Sequence, residues 1–259
     1  MQATSEENIV SSSSSKQEVF QKTTHVKDIT SEKREGKIVY IIIPMFNEAR
    51  NIIPVVENCR RAGFAHLLIV DDGSYDNTRA LAEKCGVEII SHIINRGQGA
   101  AVQTGILAAL ERGAEIIVTM DGDQQFNPSN IPGIINPLLK KEADIVIGSR
   151  FKQKNNIPFT RRFFNYIANI ITFFLSGIWL SDSQSGFKGF SKKAAEQIDI
   201  HTSGYEFCTE IVREIASLKL KHIEVPVDVY YTEESLRKGQ NFAQGIKTAA
   251  KLLVRSLMY

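Results

Sequence analysis

From residue 37 onward, short runs of apolar residues alternate with longer segments in which apolar residues recur every three to four positions. The short runs are rich in Ile and Val and predict buried strands, whereas the longer segments predict helices. Predicted strands cover residues 38–44, 67–70, 87–92, 115–120 and 144–149, and predicted helices cover residues 51–61, 77–85, 100–112 and 128–141. This alternation predicts an α/β fold with a mostly parallel sheet and helices on both faces.

Polar residues follow the end of every predicted strand. These groups are Asn47 and Glu48, Asp71 and Asp72, Asn95 to Gly97, Asp121 to Asp123, and Arg150. The carboxyl ends of parallel strands meet at one edge of a sheet, and open α/β sheets bind ligands there. The sequence therefore predicts one ligand site built from all five groups.

Two carboxylates, Asp121 and Asp123, follow the strand at 115–120 with one glycine between them. Such a pair repels itself unless a positive group joins it. Mg²⁺ in proteins is commonly held by one or two carboxylates together with substrate phosphates. An ordinary Asp-Gly turn is the simpler alternative, but the four other polar groups at the same edge favour a site for a cation and a diphosphate.

Glycines at 97, 99 and 105 lie near the start of a predicted helix, where free backbone N–H groups would suit a phosphate. The spacing is not the dinucleotide-binding GxGxxG, because Val102 stands at the last position, and no Walker A motif is present. A dehydrogenase and a P-loop NTPase are therefore disfavoured.

Composition adds limits of its own. The 259 residues fit one large domain, 43% of them are apolar, and the net charge of +2 favours no nucleic-acid partner. The three scattered cysteines indicate neither a disulfide framework nor a zinc site. We expect a disordered polar tail over residues 1–36, a catalytic domain over 37–242 and a basic amphipathic helix over 243–259.

The apolar segment 163–180 is about as long as a membrane span. Asn165, Asn169, Thr172 and Ser176 recur in it at helical spacing and form a polar stripe. The stripe favours a helix that lies along a surface or bilayer interface, or packs against the domain, over a helix that crosses the membrane. Residues 222–231 alternate between apolar and polar and predict a further strand.

The last predicted helix carries Lys247, Lys251 and Arg255 on one face. A basic amphipathic helix suits an anionic membrane surface. A packed helix with a solvated basic face is the alternative.

Six motifs of the chain, in this order, resemble those of the family 2 glycosyltransferases with the GT-A fold, most closely the polyprenyl- and dolichyl-phosphate sugar synthases. The resemblance extends over residues 38–242, and its motifs are residues 43–48, 70–74, 95–99, 121–125, 148–150 and 182–187. Each motif alone is weak, whereas all six in one order are specific for the family.

The resemblance implies a nucleotide-sugar site and a metal site. The residues that it places on the donor are Pro44, Phe46, Glu48, Val70, Asp72, Gly97, Asp121 and Gly122. It implies Mg²⁺ or Mn²⁺ on the donor diphosphate, held by Asp121, Asp123 and Gln125.

The resemblance further implies a catalytic set of Asp123, Arg150, Arg161 and Asp182, in which the arginines face phosphates and Asp182 organises the site. Arg161, together with Arg237 or Lys238, would hold the phosphate of a polyprenyl acceptor. A phosphate monoester is largely dianionic at neutral pH and needs no general base. We therefore expect inverting sugar transfer to a lipid phosphate by an enzyme attached peripherally to the cytoplasmic face of a membrane.

Two departures from the family pattern leave the donor open. Residues 236–241 lack the Gly-x-Ser-Lys ending of some relatives, and Glu206 stands where mannosyl-transferring members can have a lysine. UDP- and GDP-linked sugars, and mannose, glucose or an N-acetylhexosamine, all remain open.

Two other activities compete with transfer to a lipid phosphate. A glycosyltransferase acting on a glycan, a protein or another hydroxyl would need a base, with Asp182, Glu206 and Glu210 as candidates. A haloacid-dehalogenase-type phosphatase is disfavoured, because Gln125 stands where that class usually has a small Thr or Val.

Overall fold

A computed structural model of the protein describes residues 36–204 and 206–231. In this part of the chain, seven strands form one sheet. The strands are β1 Val39–Met45, β2 Leu67–Asp71, β3 Glu88–Ser91, β4 Ile116–Thr119, β5 Ile145–Ser149, β6 Lys188–Ser191 and β7 His222–Pro226.

Seven α-helices accompany the strands in the described residues, and a short 3₁₀ turn at Pro128–Asn130 precedes the fourth. The helices are α1 Ala49–Arg61, α2 Thr78–Lys84, α3 Gln98–Glu111, α4 Ile131–Leu139, α5 Phe159–Ser176, α6 Lys192–Gln197 and α7 Phe207–Ser217. The first five strands and first four helices confirm the predicted elements, with ends shifted by at most a few residues.

The strand order is β3-β2-β1-β4-β6-β5-β7. All pairs are parallel except those that β6 makes with β4 and β5. The sheet is thus mostly parallel, as predicted, but β6 was not predicted because its four residues carry no local strand pattern. The chain runs outward from β1 through β2 to β3 and then returns to β4 on the other side of β1, so the direction reverses between β1 and β4. Ligands of open α/β sheets bind at such a reversal.

The core lies on both faces of the sheet, as the alternation of side chains along β1 shows. Tyr40 and Ile42 point into one cluster, which includes residues of α3, α6 and α7. Ile41 and Ile43 point into the other, which includes residues of α1 and α4. Successive side chains of a strand face opposite sides, so β1, which is buried on both sides, is apolar along its whole length.

Helix α5 begins four residues before the predicted segment and ends at Ser176, where Gly177 adopts a left-handed φ of 73°. Its polar stripe faces the domain, since Asn169 and Thr172 are buried. Its aromatic face is turned outward, with Phe159 80% and Phe174 79% exposed. The helix is therefore amphipathic with its apolar side outermost. No helix among the described residues is long and apolar enough to cross a membrane.

The predicted strand 222–231 is shorter in the structure, where β7 ends at Pro226. Proline has no backbone N–H to continue a ladder. In the described residues that follow, 227–231, an isolated bridge joins Val229 to Phe126. The predicted tail, apart from Gly36, and the predicted helix 243–259 lie outside the described residues, as do Arg237 and Lys238.

Candidate active site

The end of β4 carries the two acidic residues of the predicted metal site. Burial and the neighbouring charge of Asp123 raise the pKa of Asp121 to about 6. Burial also raises the pKa of Asp123, against the hydrogen bonds of Gln125 and the charge of Arg161. A raised carboxyl pKa means that the ionised form is unfavourable in this surrounding. The pair therefore fits a divalent cation, which would stabilise both carboxylates in their ionised form.

Asp121 is held from several sides. Gln98, at the start of α3, donates its side-chain N–H to Asp121 Oδ1 at 2.7 Å. A Cβ atom on Gly186 would lie 2.3 Å from each Asp121 carboxylate oxygen, so only glycine leaves room for this carboxylate. The charge of Lys188, which is fully buried in β6, lowers the pKa of Asp121 against the effect of burial. Sequence reasoning missed both Gln98 and Lys188, because neither contact is local in sequence.

Gln125 was expected to bind the metal, but it is placed as a link between Asp123 and Arg161. Its amide nitrogen donates to Asp123, and its oxygen accepts from Arg161 Nη1 at 3.3 Å. A guanidinium can only donate, so the amide oxygen must face Arg161. An amide nitrogen is not a metal ligand, so Gln125 would bind a cation through the oxygen that here accepts from Arg161. Its role as a metal ligand stays a prediction.

The end of β5 carries a matched ion pair. Arg150 donates through Nε to Asp182 Oδ2 and through Nη2 to Oδ1, each at 2.7 Å. The backbone N–H of Arg150 also donates to Asp182 Oδ2 at 3.0 Å. Burial alone would lower the pKa of Arg150, but the charge and hydrogen bonds of Asp182 together raise it above its ordinary value. Asp182 is fully buried, so it positions Arg150.

A carboxylate on β7 supports this pair from behind. Glu224 Oε1 accepts from the Ser181 N–H at 2.9 Å, the Ser181 hydroxyl at 2.8 Å and the Asp182 N–H at 3.1 Å. Glu224 therefore fixes the segment that carries Asp182. The sequence holds no motif that joins Glu224 to residues more than 40 positions away.

Asp72, expected on the nucleoside, is occupied by three protein donors. Its Oδ1 accepts from His92 Nδ1 at 2.7 Å and from the Arg96 N–H at 2.9 Å, and its Oδ2 accepts from the Gly97 N–H at 2.7 Å. His92 Nε2 lies 3.0 Å from the hydroxyl of Thr104. Asp72 therefore holds the loop before α3 in place.

The expectation that glycines near this helix start expose N–H groups to a phosphate is wrong for two of them. The Gly97 N–H is bound by Asp72, and the Gly99 N–H donates to Ser203 O at 3.0 Å. Gly97 has a φ of 92°, and a Cβ atom on it would lie 2.0 Å from Ser203 O. Close packing against residues 202–203 is the physical reason for these glycines.

The remaining donor-side residues lie near the end of β1 and in β2. Phe46 is 37% exposed, and Pro44 and Glu48 are partly exposed. The Val70 side chain is fully buried in the core, so a side-chain contact of Val70 with the donor is excluded. Gly122 packs against Met45.

A hydrogen-bond chain connects residues 121–125, which we call the acidic loop or metal loop, to residues that follow β1. Gln124 Nε2 donates to Asn51 Oδ1 at 2.5 Å, and Asn51 Nδ2 donates to Glu48 Oε2 at 2.5 Å. These two hydrogen bonds fix the position of Glu48 relative to the metal loop.

The three candidate bases for a hydroxyl acceptor differ in their surroundings. Asp182 has both oxygens bound to Arg150. Glu210 accepts from the backbone N–H groups of His201 and Thr202 and from the Thr202 hydroxyl. Glu206 is buried next to the N-terminus of α7. Asp182 and Glu210 therefore have structural roles.

The described residues hold no cluster of three or more His, Cys, Asp or Glu side chains arranged to bind a metal. A cation at Asp121 and Asp123 would take its remaining ligands from substrate and water, which is usual for Mg²⁺ with nucleotide phosphates.

Comparison with known proteins agrees with this geometry. The sequence model of the family described as Glycosyl transferase family 2 matches residues 40–199. The chain belongs to glycosyltransferase family 2. As a member of this family it is a glycosyltransferase, and the match includes the acidic loop and Arg150–Asp182.

Two relatives within the family carry names that describe lipid phosphates. The UDP-N-acetylglucosamine–dolichyl-phosphate N-acetylglucosaminyltransferase of Methanococcus voltae is 35% identical, over 84% of this chain and 96% of its own length. The polyprenol monophosphomannose synthase of Mycolicibacterium smegmatis is 28% identical, over 81% of this chain and 83% of its own length.

A solved structure confirms the GT-A fold. Glucosyl-3-phosphoglycerate synthase from Mycobacterium tuberculosis, in complex with Mn²⁺, UDP and phosphoglyceric acid, superposes with a TM-score of 0.65 at 18% identity. The similarity covers 87% of this chain and 80% of that one.

Proposed function

We propose that this glycosyltransferase moves a sugar, with inversion, from a nucleoside diphosphate sugar to the phosphate of a polyprenyl or dolichyl phosphate at a membrane surface. The observation that carries the proposal is the pairing of Asp182 with Arg150, opposite the acidic pair Asp121 and Asp123. The pairing occupies Asp182, one of the candidate bases, and fixes the Arg150 guanidinium near the acidic pair. The names of the Methanococcus and Mycolicibacterium relatives support a lipid phosphate as acceptor.

Asp121 and Asp123 would hold Mg²⁺ or Mn²⁺ on the donor diphosphate. Their raised pKa values and shared desolvation fit such an ion. When bound, the ion supplies electrostatic stabilisation of the departing nucleoside diphosphate. Gln98 and Gly186 keep Asp121 in place for this role. The complex of the Mycobacterium tuberculosis enzyme with Mn²⁺ and UDP supports the same use of the fold.

Arg150 and Arg161 would hold the acceptor phosphate. The charges of both arginines lower the pKa of Asp123, so both lie close enough to act on the metal loop. Guanidinium groups bind phosphate oxygens in a fixed fork. A phosphate acceptor is itself the nucleophile and requires no base, which fits the engagement of Asp182 and Glu210 within the protein.

The aromatic face of α5, defined by Phe159, Phe163, Tyr166, Phe173 and Phe174, would rest on the membrane interface at the cytoplasmic face. The opposite face of the same helix carries Arg161 toward Gln125 and so reaches the site. Tyr and Trp are enriched at membrane interfaces, and Trp179 follows this helix with 54% of its surface exposed. A phosphate held by Arg161 would therefore lie close to the surface in which its lipid chain is embedded.

The proposal is tested by transfer from radiolabelled UDP- and GDP-sugars to polyprenyl phosphate in detergent, with and without Mn²⁺ or Mg²⁺. UDP-N-acetylglucosamine is the first donor to try, because the Methanococcus relative is named for it. We expect metal-dependent label in the lipid phase. Asp123→Asn should reduce it at least about 100-fold. Asp199→Asn, at an exposed carboxylate after α6, is the matched control and should retain activity.

Other results would change the proposal in defined ways. Metal-dependent donor hydrolysis without lipid label would move the acceptor to a hydroxyl compound. Full transfer by Asp123→Asn would overturn the assignment of the metal site.

A further inference from the structure

Among the described residues, one buried side-chain nitrogen has no hydrogen-bond partner, namely Nδ2 of Asn165 on α5. Buried polar groups are nearly always paired, and an unpaired one costs stability. A ligand that supplies the missing hydrogen-bond partner removes this cost when it binds.

The orientation of the Asn165 amide follows from its neighbour. Arg150 Nη2 donates to Asn165 Oδ1 at 3.3 Å. A guanidinium has no acceptor, so turning the amide over would place two donors against each other. The unpaired group is therefore the N–H₂ end of Asn165, a donor held beside a cation.

The rest of the polar stripe of α5 is fully used within the protein. Asn169 donates to Ser181 O at 2.8 Å and accepts from the Ser183 N–H at 2.9 Å. Thr172 bonds to Thr209, and Ser176 donates to the Thr172 carbonyl. Among the polar side chains of this stripe, Asn165 is the one with a buried polar atom that has no hydrogen-bond partner.

Asn165 is also the member of the stripe that adjoins the site. It lies four residues after Arg161, hence on the same face of the helix one turn away, and it touches Arg150. Arg161 reaches the acidic loop through Gln125, whose amide also binds Asp123. An unpaired N–H donor beside the Arg150 guanidinium and one helical turn from Arg161 suits an anionic oxygen.

We propose that Asn165 Nδ2 donates to a phosphate oxygen of a substrate and completes an anion site with Arg150 and Arg161. The inference rests on the proposed function and adds a substrate-binding residue to it. The phosphate belongs either to the lipid acceptor or to the donor diphosphate, since the chemistry is the same. Because the donor is unsatisfied until the ligand arrives, binding recovers a hydrogen bond that the free protein lacks.

The test compares Asn165→Ala with Asn169→Ala, a matched change one turn further along α5. Urea unfolding measures stability without ligand, and calorimetry measures the affinities of farnesyl phosphate and of UDP with Mn²⁺. Asn165→Ala should lose less stability than Asn169→Ala, because it gives up one long hydrogen bond, from Arg150 at 3.3 Å, while Asn169 makes three shorter ones. One phosphate ligand should bind Asn165→Ala about tenfold more weakly. Asn169→Ala should be less stable, because it loses hydrogen bonds that the free protein makes.

The two ligands distinguish the sources of the phosphate. Weaker binding of farnesyl phosphate alone assigns Asn165 to the acceptor, and weaker binding of UDP alone assigns it to the donor. Unchanged affinity for both overturns the inference, as does a loss of stability equal to that of Asn169→Ala. If the wild-type protein transfers no sugar to lipid but Asn165→Ala still weakens a phosphate ligand, the proposed function fails and this inference stands.

Discussion

The acidic pair that follows β4 and the carboxylate that binds Arg150 at the end of β5 are in opposite electrostatic states. At β4, Asp121 and Asp123 lie together and burial raises both pKa values. At β5, Asp182 is more deeply buried, yet it meets Arg150 in a two-pronged ion pair. Burial by itself does not mark a binding site. Two adjacent carboxylates whose pKa values stay raised despite nearby positive groups mark a place for a cation. A carboxylate in a direct ion pair, such as Asp182, positions its partner.

Replacing Asp182 tests the scaffold half of this comparison and should have the largest effect. In Asp182→Asn the guanidinium of Arg150 loses its counterion in a buried setting, where breaking such a pair costs about 3–5 kcal/mol. We expect a loss of that order in the free energy of unfolding by urea, and a loss of activity. Asp123→Asn should lose activity with little or no loss of stability. Equal stability of the two variants would contradict the comparison.

The pH dependence of the metal-free protein tests the β4 half. The pKa of Asp121, raised to about 6 from its ordinary 3.8, means that the folded protein binds this proton more tightly than the unfolded chain. The stability that this proton confers is complete below the unfolded pKa and is lost as pH rises through about 6. The slope is at most about 1.4 kcal/mol per pH unit for one proton.

Urea unfolding in the presence of a chelator, from pH 4 to 7, measures this contribution as the difference between the wild type and Asp121→Asn. The stability of the wild type should fall relative to that of the variant as pH rises. Added Mn²⁺ should reverse the trend, because it binds the ionised carboxylates. A difference that does not change with pH would show that Asp121 already has a counterion.

Substitutions on the outward face of α5 should have the smallest effect of the three, a change in vesicle binding. Phe159→Ser with Phe174→Ser removes two aromatic side chains that are 80% and 79% exposed. Sedimentation with anionic lipid vesicles should show binding reduced about tenfold, as partial burial of two aromatic side chains implies. Ile93→Ser with Ile94→Ser is the control, because these residues are 100% and 68% exposed beyond β3. Equal losses in both double variants would indicate a general effect of surface hydrophobicity.

The first half of the fold was predictable because its pattern is local. Residues 38–44 are apolar throughout and residues 116–118 form an apolar run, as expected of strands buried on both faces. Strand β6 could not be predicted, since Lys188 carries a charge and Gly189 no side chain. This strand exists because β4 and β5 bind its backbone from both sides.

The candidate site likewise has a part that the sequence predicts and a part that it does not. Asp121 and Asp123 are close because they are neighbours in sequence and follow one strand. Arg150 and Asp182 are 32 positions apart, and only the adjacency of their strands and loops joins them. The sequence predicted that Asn165 lies on the polar face of a helix, but not that its amide contacts Arg150.

The sequence by itself determined the α/β alternation, the gathering of polar residues at one sheet edge and the acidic pair after β4, because these depend on side-chain period and on chain direction. The tertiary structure decided which charges are matched. Glycines 97 and 99 serve packing, Asp72 holds a loop, Asp182 holds Arg150, and Asn165 keeps an open donor. Such roles follow from distances between segments remote in sequence, because hydrogen bonds and desolvation act over a few ångströms of space and not along the chain.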